Sequence, residues 1–155
     1  MKLTDLLEQS LMIPDLKGQN KKDVLKEFAS LLYDQKKIRD RDEFLEVILG
    51  RETLSSTGIG EGIAIPHGRL KDLDRLILAF GLSLKGIDFD AMDGKPVHLF
   101  FVLTAPDAAP VDHLKTLARI SKILKNRSFR KRLLKARTRE ELYDLIRAED
   151  EKYGP

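Results

Sequence analysis

Residues 58–68 read GIGEGIAIPHG, a stretch that combines three evenly spaced glycines with a short apolar run, a proline and a histidine. Glycine tolerates positive φ angles and leaves backbone N–H groups uncovered, which suits a loop that must approach an anion closely. Ile63 and Ile65 alternate with an alanine, as in a short strand that turns its larger side chains toward the core. Pro66 cannot donate to a sheet ladder, so we expect pairing to stop there, at a strand end that carries His67.

His67 has the properties that phosphoryl transfer requires. Near neutral pH part of the histidine population is uncharged and nucleophilic, and the N–P bond that it forms is labile enough to pass the group onward. Thr57 and the amides of Gly58 and Gly60 are candidate donors to phosphate oxygens. Taken alone, the stretch also fits a structural histidine beside an ordinary glycine turn, and it matches neither the GxxxxGK[ST] order nor a regular GxGxxG.

Regular secondary structure is predicted on both sides of this stretch. Asn20 and Asp40 are positioned to cap two helices that precede it, and the second helix should end near Gly50. Two apolar runs follow it, residues 76–84 and 97–103, and both are rich in branched and aromatic side chains. They predict strands that are buried on both faces.

Helical patterns return after these strands. One helix should begin after Pro110, a basic amphipathic segment lies near residues 129–134, and Thr138 has the capping-box spacing to a glutamate that announces a last helix. Helices thus precede and follow a central group of strands, which predicts an α/β fold: a three-layer α/β/α sandwich with a central mixed β-sheet, as a single domain over residues 1–155. The predicted buried face of the first of these helices consists of Leu114, Leu117, Ala118 and Leu124.

Composition limits the classes of protein to which the chain can belong. Its 155 residues, 42% of them hydrophobic, are enough for one compact core and too few for two ordinary domains. The lack of cysteine excludes disulfides, thiol nucleophiles and cysteine-ligated metals. The N-terminal stretch MKLTDLLEQSLMIPDLKG does not resemble a secretion signal, and no segment approaches the roughly 20 apolar residues of a membrane-spanning helix. We therefore expect a cytoplasmic protein with no membrane insertion.

The surplus of basic residues is concentrated late in the chain. The net charge is +3 and the pI about 9.1, and residues 122–137, KILKNRSFRKRLLKAR, hold eight basic side chains and no acid. Such a run can bind nucleic acid or an acidic partner through its field, although a solvated helix face is the commoner interpretation. The run has Phe129 as its one aromatic residue and contains no nucleic-acid-binding motif. A nucleic-acid partner is therefore not favoured.

From Glu52 to Gly68, the sequence ETLSSTGIGEGIAIPHG resembles the phosphorylation-site signature of the fructose/mannitol class of enzyme IIA domains of the bacterial sugar phosphotransferase system. The resemblance extends over nearly the whole chain, because that family is a single domain of about this length with helices at both ends. It implies that His67 accepts phosphate from the histidine-containing phosphocarrier protein. By position it also implies roles for His113, which precedes a leucine after the last strand, and for Arg51, near the end of the helix before the signature.

Physical chemistry is consistent with these two roles. A planar guanidinium at Arg51 can neutralise a phosphoryl group in flight through paired hydrogen bonds, and His113 could orient His67 or donate to a phosphoryl oxygen. Without the resemblance, Arg51 reads as a favourable charge at a helix C-terminus and His113 as a surface residue in a first helical turn. His98 is interpreted as an ordinary strand residue. The three histidines form no short ligand pair, so neither a metal nor another cofactor is predicted.

Within the family, the segments STGIGEGIAIPHGR, FDAMDGKPV and REELYDLI resemble the nitrogen-regulatory type, which controls other proteins. The expected partners are thus the phosphocarrier protein and a regulatory target protein. Within the same family, the alternative is a sugar-transport enzyme IIA (fructose/mannitol) that donates phosphate to a permease component. From another class, a phosphorylation-independent binding module with a basic nucleic-acid-binding helix remains open.

Overall fold

Residues 2–154, described by a computed structural model, form helices and strands around one mixed β-sheet. The α-helices of this part of the chain are α1 (Lys21–Asp34), α2 (Arg41–Leu54), α3 (Pro110–Ile123), α4 (Arg127–Lys135) and α5 (Arg139–Glu151), and two short 3-10 helices lie at Leu3–Asp5 and Gln9–Leu11. Its strands are β1 (Met12–Ile13), β2 (Gly58–Gly60), β3 (Ile63–Ala64), β4 (His67–Leu70), β5 (Ile77–Ile87) and β6 (Val97–Pro106).

The strand order is β1-β5-β6-β3-β2, and β4 also pairs with β6. The long antiparallel pair of β5 and β6 forms the centre, and β1 runs parallel to β5. On the other side of β6, β3 pairs in parallel with Leu99 and Phe100, and β4 pairs in parallel with residues 103–106. The chain therefore pairs twice in succession with the same strand, which brings His67 opposite Leu103, on a strand that within residues 2–154 pairs only with β6.

Helices cover both faces of the sheet, which confirms the predicted three-layer arrangement. Helices α1 and α2 pack over one face, around residues that include Phe28 and Phe100. Helices α3, α4 and α5 cover the other face, around residues that include Phe101 and Phe129. Adjacent residues of β6 enter different cores because successive side chains of a strand point to opposite faces. This two-sided burial explains why β5 and β6 are apolar almost throughout.

Three helices begin at the predicted side-chain caps. The side chains of Asn20, Asp40 and Thr138 each accept a hydrogen bond from the backbone amide three residues later. Each cap satisfies one of the amides that has no partner within its helix. Capping signals in the sequence therefore located the starts of α1, α2 and α5.

Helix α2 is longer than predicted. It passes through Gly50, where we expected its end, and continues to Leu54. Gly50 is exposed, and a side chain there would meet nothing within 4 Å, so the glycine lowers helix propensity without marking a boundary. The Thr53 hydroxyl donates to the Gly50 carbonyl at 2.6 Å. The extra turn carries Arg51 and Glu52 to the end of the helix that lies nearest the glycine-rich stretch.

The two central strands also exceed their predicted lengths. Predicted at residues 76–84 and 97–103, they extend to Ile87 and Pro106. The extension of β6 is stabilised by pairing on both sides, since Thr104 lies between β4 and β5. This pairing depends on the position of β4, which the local pattern does not reveal.

The predicted buried face of α3 was only partly correct, since Leu117 is half-buried and packs against the core. Leu114 is 65% exposed and Ala118 is also exposed, whereas Leu124 is buried. The buried side chains of this helix are His113, Thr116, Ile120 and Ile123. Both sets recur at helical spacing, and packing against the sheet selects the set that contains the histidine.

Strand β4 was not predicted. Pro66 does interrupt the strand, but its carbonyl accepts a hydrogen bond from the Leu103 amide at 2.9 Å, and pairing with β6 resumes at His67. The ladder uses the acceptor of Pro66 and does not need the N–H that proline lacks. His67 therefore begins a strand instead of following the end of one.

Candidate active site

The ring of His67 is held by a backbone carbonyl. Its Nδ1 lies 2.9 Å from the carbonyl oxygen of Ile65. A carbonyl can only accept, so Nδ1 carries the proton of the neutral ring and Nε2 keeps the lone pair. Burial lowers the pKa of His67 below its ordinary value, the Ile65 hydrogen bond opposes this, and the positive charge of Arg51 lowers the pKa further. The arrangement favours an uncharged ring whose Nε2 lone pair is available for nucleophilic attack.

Gly68 allows helix α2 to lie close to β4. A Cβ added to Gly68 would lie 2.8 Å from Cγ1 of Val47 and 3.1 Å from Cδ1 of Ile48. Gly68 therefore faces the helix. Since neighbouring strand residues point to opposite faces, His67 is directed away from α2 and toward the side covered by α3.

His113 lies edge-on to His67. Their ring centroids are 5.3 Å apart, and the ring planes are inclined by 82°. His113 is 5% exposed, and neither ring nitrogen has a hydrogen-bond partner within residues 2–154. Burial, the nearby His67 and the charge of Arg69 lower the pKa of His113 to about 4. At neutral pH this ring is uncharged, with one N–H donor and one acceptor available to a group bound at His67.

Two arginines place positive charge around the histidine pair. Arg51 lies in the last turn of α2, where its Nη1 donates to the Ser55 carbonyl at 3.0 Å, and its charge acts on the pKa of His67. Arg69 is exposed on β4, two residues after His67, so both side chains lie on the same face of the strand. Arg69 was missed in the sequence because β4 was not predicted; strand alternation continued past Pro66 is the signal that would have found it.

Glu52, like Arg69, lies at the site although no role was predicted for it from the sequence. It was noted there only as the first residue of the signature. It is 7% exposed and accepts hydrogen bonds from the amide and hydroxyl of Thr57, the amide at 3.2 Å. Lys21 approaches it at 3.6 Å, which partly neutralises the buried carboxylate. Its negative charge raises the pKa of His67, in opposition to Arg51. Glu52 therefore anchors the start of the glycine-rich stretch beneath the site.

Two of the three predicted phosphate donors of the glycine-rich stretch, Thr57 and Gly58, already have partners within the protein. The Thr57 hydroxyl donates to Glu52, and the Gly58 amide donates to the Ser56 hydroxyl at 3.0 Å. Gly60, with a φ of +94°, begins the tight turn between β2 and β3. A phosphate-binding role for these three residues stays a prediction.

His98 lies apart from the histidine pair. Its Nδ1 is 2.8 Å from the Ser83 carbonyl, an interaction between β6 and β5 that fits a strand residue. Within residues 2–154, no three histidine, aspartate or glutamate side chains are placed to hold one metal ion. In the same part of the chain, no helix has both the length and the apolar character needed to cross a bilayer.

Comparison with known protein families shows to which family this chain belongs. The family model described as "Phosphoenolpyruvate-dependent sugar phosphotransferase system, EIIA 2" matches residues 5–149. The chain belongs to this family. The family assignment makes it a component of a phosphotransfer system, in agreement with the resemblance of residues 52–68.

Relatives of this enzyme IIA domain fall into two groups. The chain is 40% identical over 146 residues to a nitrogen regulatory protein of Bradyrhizobium diazoefficiens. The aligned region covers 94% of this chain and 95% of the relative. It is 39% identical over 150 residues to the fructose-specific EIIABC component of Bacillus subtilis, and this aligned region covers 97% of the present chain. The chain spans only 24% of the length of that second relative. Among solved structures, the nitrogen regulatory protein IIA-Ntr of Neisseria meningitidis is similar with a TM-score of 0.87 and 32% identity, over 93% of this chain and 98% of the other.

Proposed function

We propose that this enzyme IIA domain is a cytoplasmic phosphoryl carrier that accepts phosphate on Nε2 of His67 from the histidine-containing phosphocarrier protein. The observation that carries the proposal is the hydrogen bond between Nδ1 of His67 and the Ile65 carbonyl, which leaves Nε2 as the free nucleophile of a ring that is neutral near pH 7. Membership in a phosphotransferase-system family supports a phosphoryl group as the substrate of this nucleophile.

The transfer conserves atoms and charge without a cofactor. The lone pair of Nε2 attacks the phosphorus of the donor's phosphohistidine, a new N–P bond forms, and the N–P bond of the donor breaks as its imidazole leaves. In the onward step, a nucleophile of the next acceptor attacks the phosphorus, and the N–P bond to His67 breaks. Charge on the phosphoryl oxygens in flight is neutralised by Arg51 and Arg69, and the N–H of His113 donates to one of these oxygens.

The surface around the site suits a protein donor. Val111 and Leu114, which flank His113 in sequence, are 60% and 65% exposed, and Leu54 at the end of α2 is 80% exposed. Exposed apolar side chains beside charged groups are typical of a protein-binding surface. These three residues form the contact surface for the phosphocarrier protein and for the acceptor.

The recipient is a regulatory target protein, as in the nitrogen-regulatory branch. Support comes from the 40% identity to the Bradyrhizobium nitrogen regulatory protein and from the TM-score of 0.87 with the Neisseria IIA-Ntr structure. Transport is the second candidate, in which phosphate passes to a permease component, and it is supported by the 39% identity to the fructose-specific component. Adding a fructose-specific IIB component to the phosphorylated chain separates the two, because prompt loss of phosphate from His67 would favour transport.

Intact-mass spectrometry tests the carrier function directly. The native chain, incubated with phosphoenolpyruvate, enzyme I and the phosphocarrier protein, should gain one acid-labile phosphate. His67→Ala should gain none. His98→Ala serves as the matched control, since that histidine contacts Ser83 and lies apart from the pair, and it should be phosphorylated as the native chain is. A native chain that stays unmodified with its cognate donor would refute the proposal.

A further inference from the structure

A second charged surface surrounds a small cavity at the start of β6. The cavity has a volume of about 140 Å³ and lies between the β2–β3 turn, β6 and helix α4. Leu99 and Leu134 line it together with the cationic side chains of Arg127 and Lys131. Leu99 precedes Leu103, the partner of His67, by four residues, which is about 13 Å along the strand. The cavity is thus separate from the histidine pair.

The cations at this cavity differ in how they are paired. Arg130 donates to the Leu124 carbonyl at 2.6 Å and lies 3.6 Å from Glu61, so it closes one wall. Arg127 and Lys131 are exposed, and within residues 2–154 neither forms an ion pair with an acid. They lie four residues apart on α4, on the same face of the helix. Two positive charges therefore stand side by side at the rim without a partner in the chain.

The cavity is too small for a metabolite and is largely apolar inside. Its volume of about 140 Å³ compares with roughly 300–1,000 Å³ for ordinary small-molecule sites. Leu99 is buried, and Leu134 is 38% exposed at the opening. A space of this size between two leucines accommodates one aliphatic side chain of a bound segment. Charged groups next to that side chain in the segment would then lie within reach of the cations at the rim.

Nucleic acid fits the same surface less well. Phe129, the aromatic residue of the basic run, is fully buried against the sheet and cannot stack on a base. Arg132 and Arg137 are engaged elsewhere, Arg132 with Glu149 at 3.7 Å and Arg137 with the Leu134 carbonyl at 2.9 Å. A nucleic acid is bound through a row of phosphate contacts or stacked bases, and neither is provided at this cavity.

We propose that this cavity binds an acidic peptide segment of a partner protein, which inserts one aliphatic side chain between Leu99 and Leu134 and pairs its carboxylates with Arg127 and Lys131. Charge complementarity selects this occupant, because the rim offers two unpaired cations and the interior offers apolar contact. The site is independent of phosphoryl transfer at His67. It gives the basic helix α4 a role in partner binding.

The proposal can be tested with the unphosphorylated chain and a fluorescein-labelled peptide of sequence Glu-Glu-Leu-Glu-Glu. Fluorescence anisotropy should give a saturable curve, and the amide NMR signals of Gly62, Leu99 and Lys131 should shift on addition of the peptide. Replacing the peptide leucine with serine should weaken binding about tenfold, equivalent to about 1.4 kcal/mol, because the apolar contact with Leu99 and Leu134 is lost.

Charge variants on one helix provide the matched comparison. Arg127→Ala and Lys131→Ala should each weaken peptide binding about threefold to fivefold, whereas Lys135→Ala, which removes an exposed charge outside the cavity, should change it less than about twofold. Dispersed amide spectra verify that each variant is folded. An equal loss in Lys135→Ala would overturn the proposal in favour of a diffuse field. Tighter binding of a short oligothymidylate at the same ionic strength, or no amide shifts at millimolar peptide, would also overturn it.

Discussion

At the residue scale, the ring of His67 is held by groups from α2, α3 and the segment between β3 and β4. The Ile65 carbonyl holds Nδ1 of His67, while Arg51 and Glu52 from the end of α2 act on its pKa with opposite signs. His113 contributes an uncharged ring from α3 at a centroid distance of 5.3 Å. The environment of His67 therefore depends on groups that are distant from one another in the sequence.

Removal of the Arg51 charge should raise the pKa of His67. A cation near the ring disfavours the imidazolium, so Arg51→Gln leaves burial as the main factor that lowers the pKa. Phosphoryl transfer should also slow about tenfold or more, because a charge-assisted donor to the phosphoryl group is lost. NMR titration of the His67 ring and single-turnover transfer rates measure the two effects.

Arg41→Gln is the control for this variant. Arg41 lies at the other end of α2, exposed and close to the ring of Tyr33. It should change neither the pKa of His67 nor the transfer rate. An unchanged His67 titration in Arg51→Gln would show that the guanidinium does not act on the ring.

His113 should make stability depend on pH below neutrality. Its pKa is lowered from the model-peptide value of 6.5 to about 4, so between these pH values the unfolded chain binds a proton that the folded chain does not. The free energy of unfolding should therefore be greatest above about pH 6.5 and fall as the pH decreases toward 4. Urea midpoints across this range measure the slope, and His113→Leu should reduce it.

The same substitution should separate stability from transfer. The ring nitrogens of His113 are buried without partners in residues 2–154, so an apolar replacement should leave stability at pH 7 unchanged or raise it. Transfer to His67 should nevertheless slow about a hundredfold, because a donor to the phosphoryl oxygens is removed. Loss of stability together with full transfer activity would contradict the role given to His113.

At the element scale, the approach of α2 to β4 determines where Arg51 and Glu52 lie. Gly68 permits this contact, since a Cβ at its position would lie 2.8 Å from Val47. Gly68→Ala should therefore displace the helix and lower the free energy of unfolding by about 1–3 kcal/mol. Transfer should slow as well, because Arg51 moves away from His67. Urea denaturation and transfer rates test both expectations.

Gly50→Ala is the matched control within the same helix. A side chain at Gly50 meets nothing within 4 Å, and the position is exposed in the interior of α2. The substitution should stabilise the protein by up to about 1 kcal/mol through helix propensity and leave transfer unchanged. Destabilisation of both variants by the same amount would indicate that packing against β4 is not the cause.

At the scale of the whole molecule, a buried ion pair joins the two ends of the chain to α3. Nε of Arg119 in α3 lies 2.5 Å from Oδ1 of Asp150 in α5, and the other carboxylate oxygen accepts from the Thr4 amide at 3.1 Å. Asp150 is fully buried. The pair connects the N-terminal segment, the helix that carries His113 and the last helix.

Asp150→Ala should lower the free energy of unfolding by about 3–5 kcal/mol, because it leaves the Arg119 charge buried without its partner. Asp144→Ala in the same helix removes an exposed carboxylate that lies 3.9 Å from Arg147, and it should cost less than about 0.5 kcal/mol. Urea denaturation compares the two. Similar values for both variants would argue against a structural role for the buried pair.

The sequence by itself determined the features that depend on local chemistry. Capping residues located the starts of α1, α2 and α5, the apolar runs located β5 and β6, and the order of helices and strands predicted the three layers. The signature at residues 52–68 led to the family, which the match over residues 5–149 confirmed. These signals are readable because caps, periodicity and motifs act over a few residues.

Packing between distant elements decided which further residues reach the site and how the two histidines are oriented. Strand β4 exists because β6 offers it a partner after Pro66, α3 turns His113 inward because of its packing on the sheet, and Arg69 joins the site because β4 carries it there. Each of these depends on contacts between elements far apart in the chain, and many alternative pairings satisfy the same local pattern. Local propensity limits the possible elements, but the free energy of packing selects their register and orientation.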